Sequence, residues 1–348
     1  TDLAVVILAA GNGTRMNSKQ QKLLHDVGGK PMVQHVFDTA VAVSQYPPVL
    51  VLGRGGEQIQ ARFQDRACYV TQTEKLGTGH ATRMATDLLH GRSRQVAVLY
   101  GDMPLLKAET LAELARKQTK TGAAIIMLSV MGEPESSFGR VVRNAYGHVR
   151  EIVEVADARK RPNSTTLLNI REHNAGVYCF DADFLWQNLP HLPQHIARDG
   201  NPEYYLTDMV GLAVEQGRMV EALTTDDEDE CLGAGTRAEM VPVEQAFRRR
   251  AVRFHQEHGV TIMDPASTFI DQGVEIGQDT IIWPNTYLQG QTVIGEDCVI
   301  GPNSIVRSAN LGRGCRVEQA VIEQVTLPAH ETVRPFTHLV GTAFTPKE

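Results

Sequence analysis

A three-layer α/β domain followed by a short parallel β-helix is the fold class predicted for this 348-residue chain. Up to about residue 225, short apolar runs alternate with amphipathic segments, the pattern of strands and crossover helices around a sheet. From Thr261 onward the pattern changes, and Ile276, Ile282, Leu288, Ile294, Ile300 and Val306 recur at a strict six-residue interval, the signature of a hexapeptide β-helix. The length suits two domains, and 42% hydrophobic with 22% charged residues suits a soluble protein with ample core.

The first element is Leu3 to Ala10, apolar and rich in β-branched residues, which reads as a central strand covered on both faces. It opens into Gly11, Gly13, Thr14 and Arg15, where glycines let backbone N–H groups turn toward an anion and Arg15 adds a fixed positive charge. Gly13 is followed by Thr14, Arg15 and Met16, so the loop matches neither G-x-x-x-x-G-K-[ST] nor G-x-G-x-x-G. A tight strand-to-helix turn also demands glycine. Lys22, in SKQQKLLH a short loop beyond Arg15, brings a second cation that packing of a turn does not explain.

Further strands are expected at Val49 to Leu52, Cys68 to Val70, Val96 to Tyr100, Ala123 to Val130 and Val177 to Phe180. Helices are expected from Pro31 at an N1 position, from Gly79 to Leu89, from Ala108 to Gln118, and from Thr207 to Gln216 with Gly217 closing it. Acidic TTDDEDECLGAGTR interrupts the pattern, and Pro242 is expected to open a helix with Val243, Phe247, Ala251 and Phe254 on one apolar stripe. In the repeat region Gly277, Gly295 and Gly301 follow inward aliphatics, and Asp279, Asn285, Asp297 and Asn303 fall where a corner needs a turn-former. After Val306 the spacing slips to five at Leu311 and stays irregular through Val317, Ile322 and Leu327, so the last coils are expected to be distorted or capped.

Composition excludes several classes. No apolar run approaches the roughly 20 residues of a membrane span, and the first run lacks a basic flank and a cleavage-like site, so a cytoplasmic location is expected with no membrane partner. A net charge of −7 argues against nucleic acid, and RRRAVR at 248 to 253 reads as a solvated face or a contact with an acidic neighbour. The five cysteines are widely spaced without a Cys-x-x-Cys pair, which fits free thiols better than a disulfide framework or zinc site.

Asp102, in VAVLYGDMPLL, is delivered by an apolar strand to its C-terminal end, the edge where open α/β sheets bind ligands. It could cap the following helix or hold a Mg²⁺ between phosphates.

LAAGNGTRM, the lysine of QQKLLH, QTEKLGTGHA, YGDMPL, FGRVVR, IVEVADA, EHNAG and EYYLTD occur in one order. In that order the chain resembles the bacterial bifunctional N-acetylglucosamine-1-phosphate uridylyltransferase/glucosamine-1-phosphate acetyltransferase family. The resemblance implies a Rossmann-like nucleotidyltransferase domain over residues 1–238, a linker helix over 239–258 and a short left-handed β-helix over 259–348. It further implies that Leu8, Ala9 and Gly11 line the nucleotide site beside the Gly13 turn, and that Arg15 and Lys22 neutralise the triphosphate of UTP. Gln72, Gly77 and Thr78 would read the base; in a plain structural reading GTG only packs a turn. Gly139, Glu154 and Asn174 would hold the sugar of N-acetylglucosamine-1-phosphate with Thr207 nearby, and Asp102 would bind Mg²⁺. The implied reaction is attack of the sugar phosphate on the α-phosphorus of UTP with loss of pyrophosphate. That attack needs no general base, because the attacking oxygen is already ionised, and the twelve histidines are given no catalytic role. The β-helix would form a homotrimer.

The chain departs from the family pattern at three places. The family's second metal ligand is an Asn in Gly-Val-Asn-x-Arg, and here the stretch is Gly233-Ala234-Gly235-Thr236-Arg237; Gly235 has no side chain, so weaker Mg²⁺ binding is expected, with water or Asp227 filling the position. Gln21 replaces the proline before the lysine, which is expected to loosen the loop around Lys22. The repeats give about four coils, and His330, Arg334 and His338 read as surface residues, so uridylyl transfer without acetyl transfer is expected. The alternatives are the same reaction on another sugar-1-phosphate or nucleotide, or a non-catalytic subunit that binds a sugar nucleotide.

Overall fold

The computed structural model describes residues 2–11, 13–196 and 200–341; Asn12 of the glycine loop lies outside them. They divide into two compact units, the described residues of 1–25 with 31–240 and those of 26–30 with 241–348.

In the first unit the strands of the main sheet are β1 (Leu3–Ala9), β2 (Val49–Leu52), β3 (Cys68–Thr71), β4 (Gln95–Tyr100), β5 (Ile125–Met131), β6 (Arg140–Arg143), β7 (Val149–Val153), β8 (Glu172–Asp181) and β9 (Val220–Thr225). They form a nine-stranded sheet in the order β9-β5-β8-β4-β1-β2-β3, with β6 joined to β8 and β7 beyond it. β1 runs parallel to β2 and β4, whereas β8 is antiparallel to β4 and β5. Leu3, Val5, Ile7 and Ala9 belong to one buried cluster and Ala4, Val6 and Leu8 to another. Both faces of β1 are therefore covered, the reason its sequence is apolar without alternation.

The helices Met32–Val43, Ala108–Thr121 and Asp208–Glu215 form where periodicity places them, with Pro31 preceding the first rather than occupying its first turn. Gly122 and Gly217, at φ 66° and 68°, follow the latter two. The expected helix from Gly79 to Leu89 is instead two, Gly77–Arg83 and Thr86–Leu89, parted at Met84 and Ala85.

A helix runs over Arg237–Glu257 with Pro242 inside it, correcting the expected start at Pro242. Thr236 Oγ1 accepts from the Glu239 N–H at 3.1 Å, so the Thr-x-x-Glu signature that begins six residues before the proline sets the helix start. Pro242 then lies in the second turn and removes one intrahelical bond. Phe254, expected on the apolar stripe, is exposed, and Val243, Ala246, Val252 and His255 are the buried positions.

The second unit is a parallel β-helix of three ladders. Ile282, Leu288, Ile294, Ile300 and Val306 point inward and are buried. The four expected turn-formers all adopt left-handed backbone, Asp279 at φ 61°, Asn285 at 56°, Asp297 at 57° and Asn303 at 52°. The last coils, expected to be distorted or capped, keep their ladder pairing. Pairing continues as the register offset shortens from eighteen residues (Ile276↔Ile294) to seventeen (Ile294↔Leu311) and sixteen (Leu311↔Leu327). Missing residues come out of the corners, where Ser308, Gln319 and Gln324 take the positive φ. Gly277, Gly295 and Gly312 are set by close coil approach: a β-carbon would lie 2.5 Å, 2.7 Å and 2.6 Å from the backbone nitrogens of Glu296, Arg313 and Ala329.

Residues 26–30 cluster with this second unit because Gly28 N donates to Glu244 Oε2 at 2.9 Å and Gly28 O accepts from Gln272 N at 2.8 Å. Arg248, from the basic run, sits over the Phe269 ring at 3.7 Å. His330, Arg334 and His338 are exposed.

Candidate active site

The site begins with register. Leu8 of β1 is opposite Tyr100 of β4 in a parallel pair, and Gly101 N donates to Leu8 O at 3.0 Å. The loops leaving the two strands therefore emerge side by side, bringing Gly11, Gly13 and Asp102 to one sheet edge. Gly13 is left-handed at φ 58°, and a β-carbon there would overlap Lys22 Cβ; the glycine lets the lysine pack against the loop. Lys22 Nζ forms an ion pair with Asp102 Oδ2. Gln21 does not loosen this turn: its Oε1 accepts from Leu23 N at 2.6 Å and caps the short helix carrying Lys22.

A cavity of about 280 Å³ lies beside this pair. Leu8, Gly11, Lys22, Gln72, Gly77, Thr78 and Asp102 of the expected residues line it, and so do Lys75, Tyr100 and Glu203, which sequence reasoning did not single out. Ala9 does not: it is buried on the opposite face of β1, and Ala10 takes the place at the wall. Gly13 and Arg15 are not among the lining residues.

Gln72 is buried, and its Nε2 reaches Gly77 O at 3.1 Å and His80 Nδ1 at 3.0 Å. With the amide nitrogen so engaged, Oε1 is the atom available to a donor in the cavity. Thr78 Oγ1 accepts from Leu206 N at 3.0 Å, and Gly79 N donates to Tyr204 O at 2.9 Å. Gly77 has φ 87°, and a β-carbon on it would stand 2.5 Å from Tyr204 O. GTG thus packs the EYYLTD segment and lines the cavity at once.

A second cavity, about 490 Å³, is lined by Pro134, Glu135, Ser136 and Ser137, by Arg140 and Arg159, and by Glu154, Val155 and Tyr205. All four expected sugar residues meet through contacts: Gly139 O accepts from Asn174 N at 2.8 Å, and a β-carbon on Gly139 would be 3.4 Å from Glu154 Oε1. Thr207 hydrogen-bonds Glu154. The Asn174 side chain is committed to the protein, with Nδ2 donating to Tyr178 Oη at 2.7 Å and Oδ1 accepting from Gly176 N at 3.1 Å. Burial, reinforced by the charge of Asp157, raises the Glu154 carboxyl above the ordinary carboxylate range against the opposing Thr207 bond. Tyr100 hydrogen-bonds Thr78, and burial pushes its phenol up, so it stays a neutral hydrogen-bonding group.

The stretch 233–235 runs alongside Asp102, since Ala234 N donates to Asp102 O at 3.2 Å and a β-carbon on Gly233 would be 3.8 Å from Asp102 Cγ. At Gly235 a β-carbon would be 2.5 Å from Arg15 Nη2 and 3.0 Å from Glu239 Oε2, and Gly235 N donates to that Oε2 at 2.6 Å. Arg15 and Glu239 fill the space a side chain at 235 would use. Asp227 pairs with Lys107 Nζ at 2.6 Å, joined by Glu230 at 3.2 Å. Among the described residues no cluster of three or more His, Cys, Asp or Glu could hold a metal ion. Asp102 alone still suits Mg²⁺, which takes one or two carboxylates and draws its other ligands from phosphates and water.

The profile of the MobA-like NTP transferase domain matches residues 5–193, and that of the bacterial transferase hexapeptide (six repeats) matches 273–308. The bifunctional protein GlmU of Geobacillus sp. (strain WCH70) is 40% identical over 334 residues, covering 96% of this chain and 71% of that protein. Its counterpart in Pelobacter propionicus is 40% identical over 342 residues, covering 97% and 72%. Among solved structures, CMP:2-keto-3-deoxy-manno-octonic acid synthetase complexed with CTP superposes with a TM-score of 0.51 at 17% identity, over 72% of this chain and all of that one, a likeness of fold. Among the described residues no helix is long and apolar enough to cross a membrane.

Proposed function

The chain is a nucleotidyltransferase of the GlmU family, and from that premise we propose that it transfers a uridylyl group from UTP to N-acetylglucosamine-1-phosphate in the cytoplasm, releasing pyrophosphate. The observation that supports this reading is one cavity lined by Lys22, Asp102, Gln72 and Thr78, the first two suited to phosphates and a metal ion and the last two to a base. Gln72 Oε1 suits the imide N–H of uracil, and backbone N–H groups near Thr78 suit a uracil carbonyl. Glu154, with Gly139 and Asn174 behind it, borders the second cavity where the acetamido sugar would lie.

Catalysis then needs alignment and charge rather than proton transfer. A sugar phosphate oxygen, already ionised, attacks the α-phosphorus; its P–O bond forms as the bond to the β-phosphate bridging oxygen breaks, and pyrophosphate carries off the charge. Lys22 and Arg15 absorb charge growing on the phosphates. Asp102 would hold a Mg²⁺ whose contribution, when bound, is to draw charge from the phosphate oxygens. We assign weaker metal binding to this chain than a second side-chain ligand would give, because Gly235 offers none. The β-helix is assigned the role of a trimerisation stalk; a monomer in light scattering would remove it.

Pyrophosphate release from a panel of nucleoside triphosphates and sugar-1-phosphates with Mg²⁺, repeated with Asp102→Ala, tests the reading. Turnover confined to UTP and an acetamido sugar is the expected result. Turnover with another pair would move the specificity, and no turnover with any pair would favour a non-catalytic sugar-nucleotide-binding subunit. The reading assigns uridylyl transfer alone to these residues, and acetylation of glucosamine-1-phosphate by the purified chain would overturn that part.

A further inference from the structure

Arg140, the first residue of β6, is wholly buried and is among the largest side chains with no exposed surface. Its guanidinium donates to four backbone carbonyls: Pro134 at 2.6 Å, Ser136 at 3.0 Å, Phe138, and Leu168 at 3.3 Å. None of these acceptors is a carboxylate. A buried cation without a counter-ion is costly, and an apolar side chain of similar volume would fill the space without that cost. What the fork does here is geometric.

Three of its acceptors come from alternate residues of one segment, 134, 136 and 138, which has no strand partner of its own. Pro134, Glu135, Ser136 and Ser137 of this segment line the second cavity together with Arg140 itself, Glu154 and Tyr205. The segment ends at Gly139, whose carbonyl accepts from Asn174 N and whose α-carbon sits against Glu154. Arg140 thereby ties this segment beside the half-buried Glu154 carboxylate.

We propose that Arg140 is a positioning residue for the sugar phosphate substrate, its guanidinium shaping the 134–139 segment into a wall of the sugar cavity. The inference rests on the reading of that cavity as the sugar site. Lysine keeps the charge but offers its donors from a single nitrogen and cannot serve four carbonyls around a planar fork.

Arg140→Lys tests it. The KM for N-acetylglucosamine-1-phosphate should rise about tenfold or more, as loss of one or two charge-assisted bonds at the cavity wall implies. The KM for UTP, and UTP binding to the free protein by calorimetry, should stay within about twofold, because the uridine cavity is lined by other segments. Hydrogen exchange of amides 135–139 should quicken while those of β1 do not. An unchanged sugar KM would overturn the proposal. A joint loss of sugar and UTP binding, which includes failure to fold, would also overturn it by marking a general structural role. Wild-type protein is the control: if it turns over no pair, the proposed function fails, and the exchange readout still decides whether Arg140 holds the wall.

Discussion

The ammonium of Lys22 rests on the carboxylate of Asp102, joining a loop after the first strand to the end of a strand 80 residues later. Under the proposed function this cation and anion would receive a triphosphate and its counter-ion. Lys22→Met and Asp102→Ala are each expected to lower kcat by roughly 10²–10³-fold, the scale of losing one preorganised charge contact. Both side chains are partly exposed, so melting temperature should change little. Pyrophosphate release and thermal unfolding check this; activity within about threefold of wild type in either variant would detach the pair from the chemistry.

Gly235 makes room for Arg15. Gly235→Asn would bring a ligand oxygen toward Asp102 and also push Arg15 Nη2 from its present place, 2.5 Å from the new β-carbon. The half-saturating Mg²⁺ concentration is expected to fall, with kcat falling as Arg15 is displaced. Gly235→Ala separates the two effects, since it crowds Arg15 without adding a ligand. A Mg²⁺ dependence identical in wild type and Gly235→Asn would show that position 235 has no part in metal binding.

Glu154 makes stability depend on pH. Its carboxyl is raised by burial first and by Asp157 second, so the folded state holds its proton more tightly than the unfolded chain. Such a group favours the fold at low pH, and that contribution is lost as pH rises from the ordinary carboxylate value through the raised one. Over that window wild type should lose more stability than Glu154→Gln, measured by urea unfolding at several pH values. A stability difference between the two that is flat across the window would contradict the assignment.

In the β-helix, Ile300 is fully buried between Ile282 and Val317 of neighbouring coils. Ile300→Ala should cost about 2–5 kcal/mol, the range for a large-to-small change in a packed core. Denaturant unfolding of the full chain, followed by a probe in the second unit, reads this. A loss under about 1 kcal/mol would mean that the coils relax around the cavity.

Much of the fold was legible because its signals are local. The continuous apolar run of Leu3–Ala9 reports burial on both sheet faces, and the six-residue period of inward aliphatics reports the β-helix, down to the left-handed corners at Asp279, Asn285, Asp297 and Asn303. The start of the helix at Arg237 was equally local and was misplaced because Pro242 is a louder signal than Thr236 and Glu239.

The site divides along the same line. Lys22, Asp102, Gln72 and Thr78 could be picked out from motifs, and the fold brings them to one cavity. Lys75, Tyr100 and Glu203 sit inside the same motifs, yet which side chain turns toward the cavity depends on strand facing and loop path, as the exchange of Ala9 for Ala10 shows. Sequence by itself determined the two architectures and most of their elements, because each is written in spacing between near neighbours. Tertiary structure alone decided that Arg15 and Glu239 occupy the space beside Gly235, and that Arg140 spends its charge on four carbonyls. These contacts join segments distant in the chain, and such convergence leaves no periodic trace in any one of them.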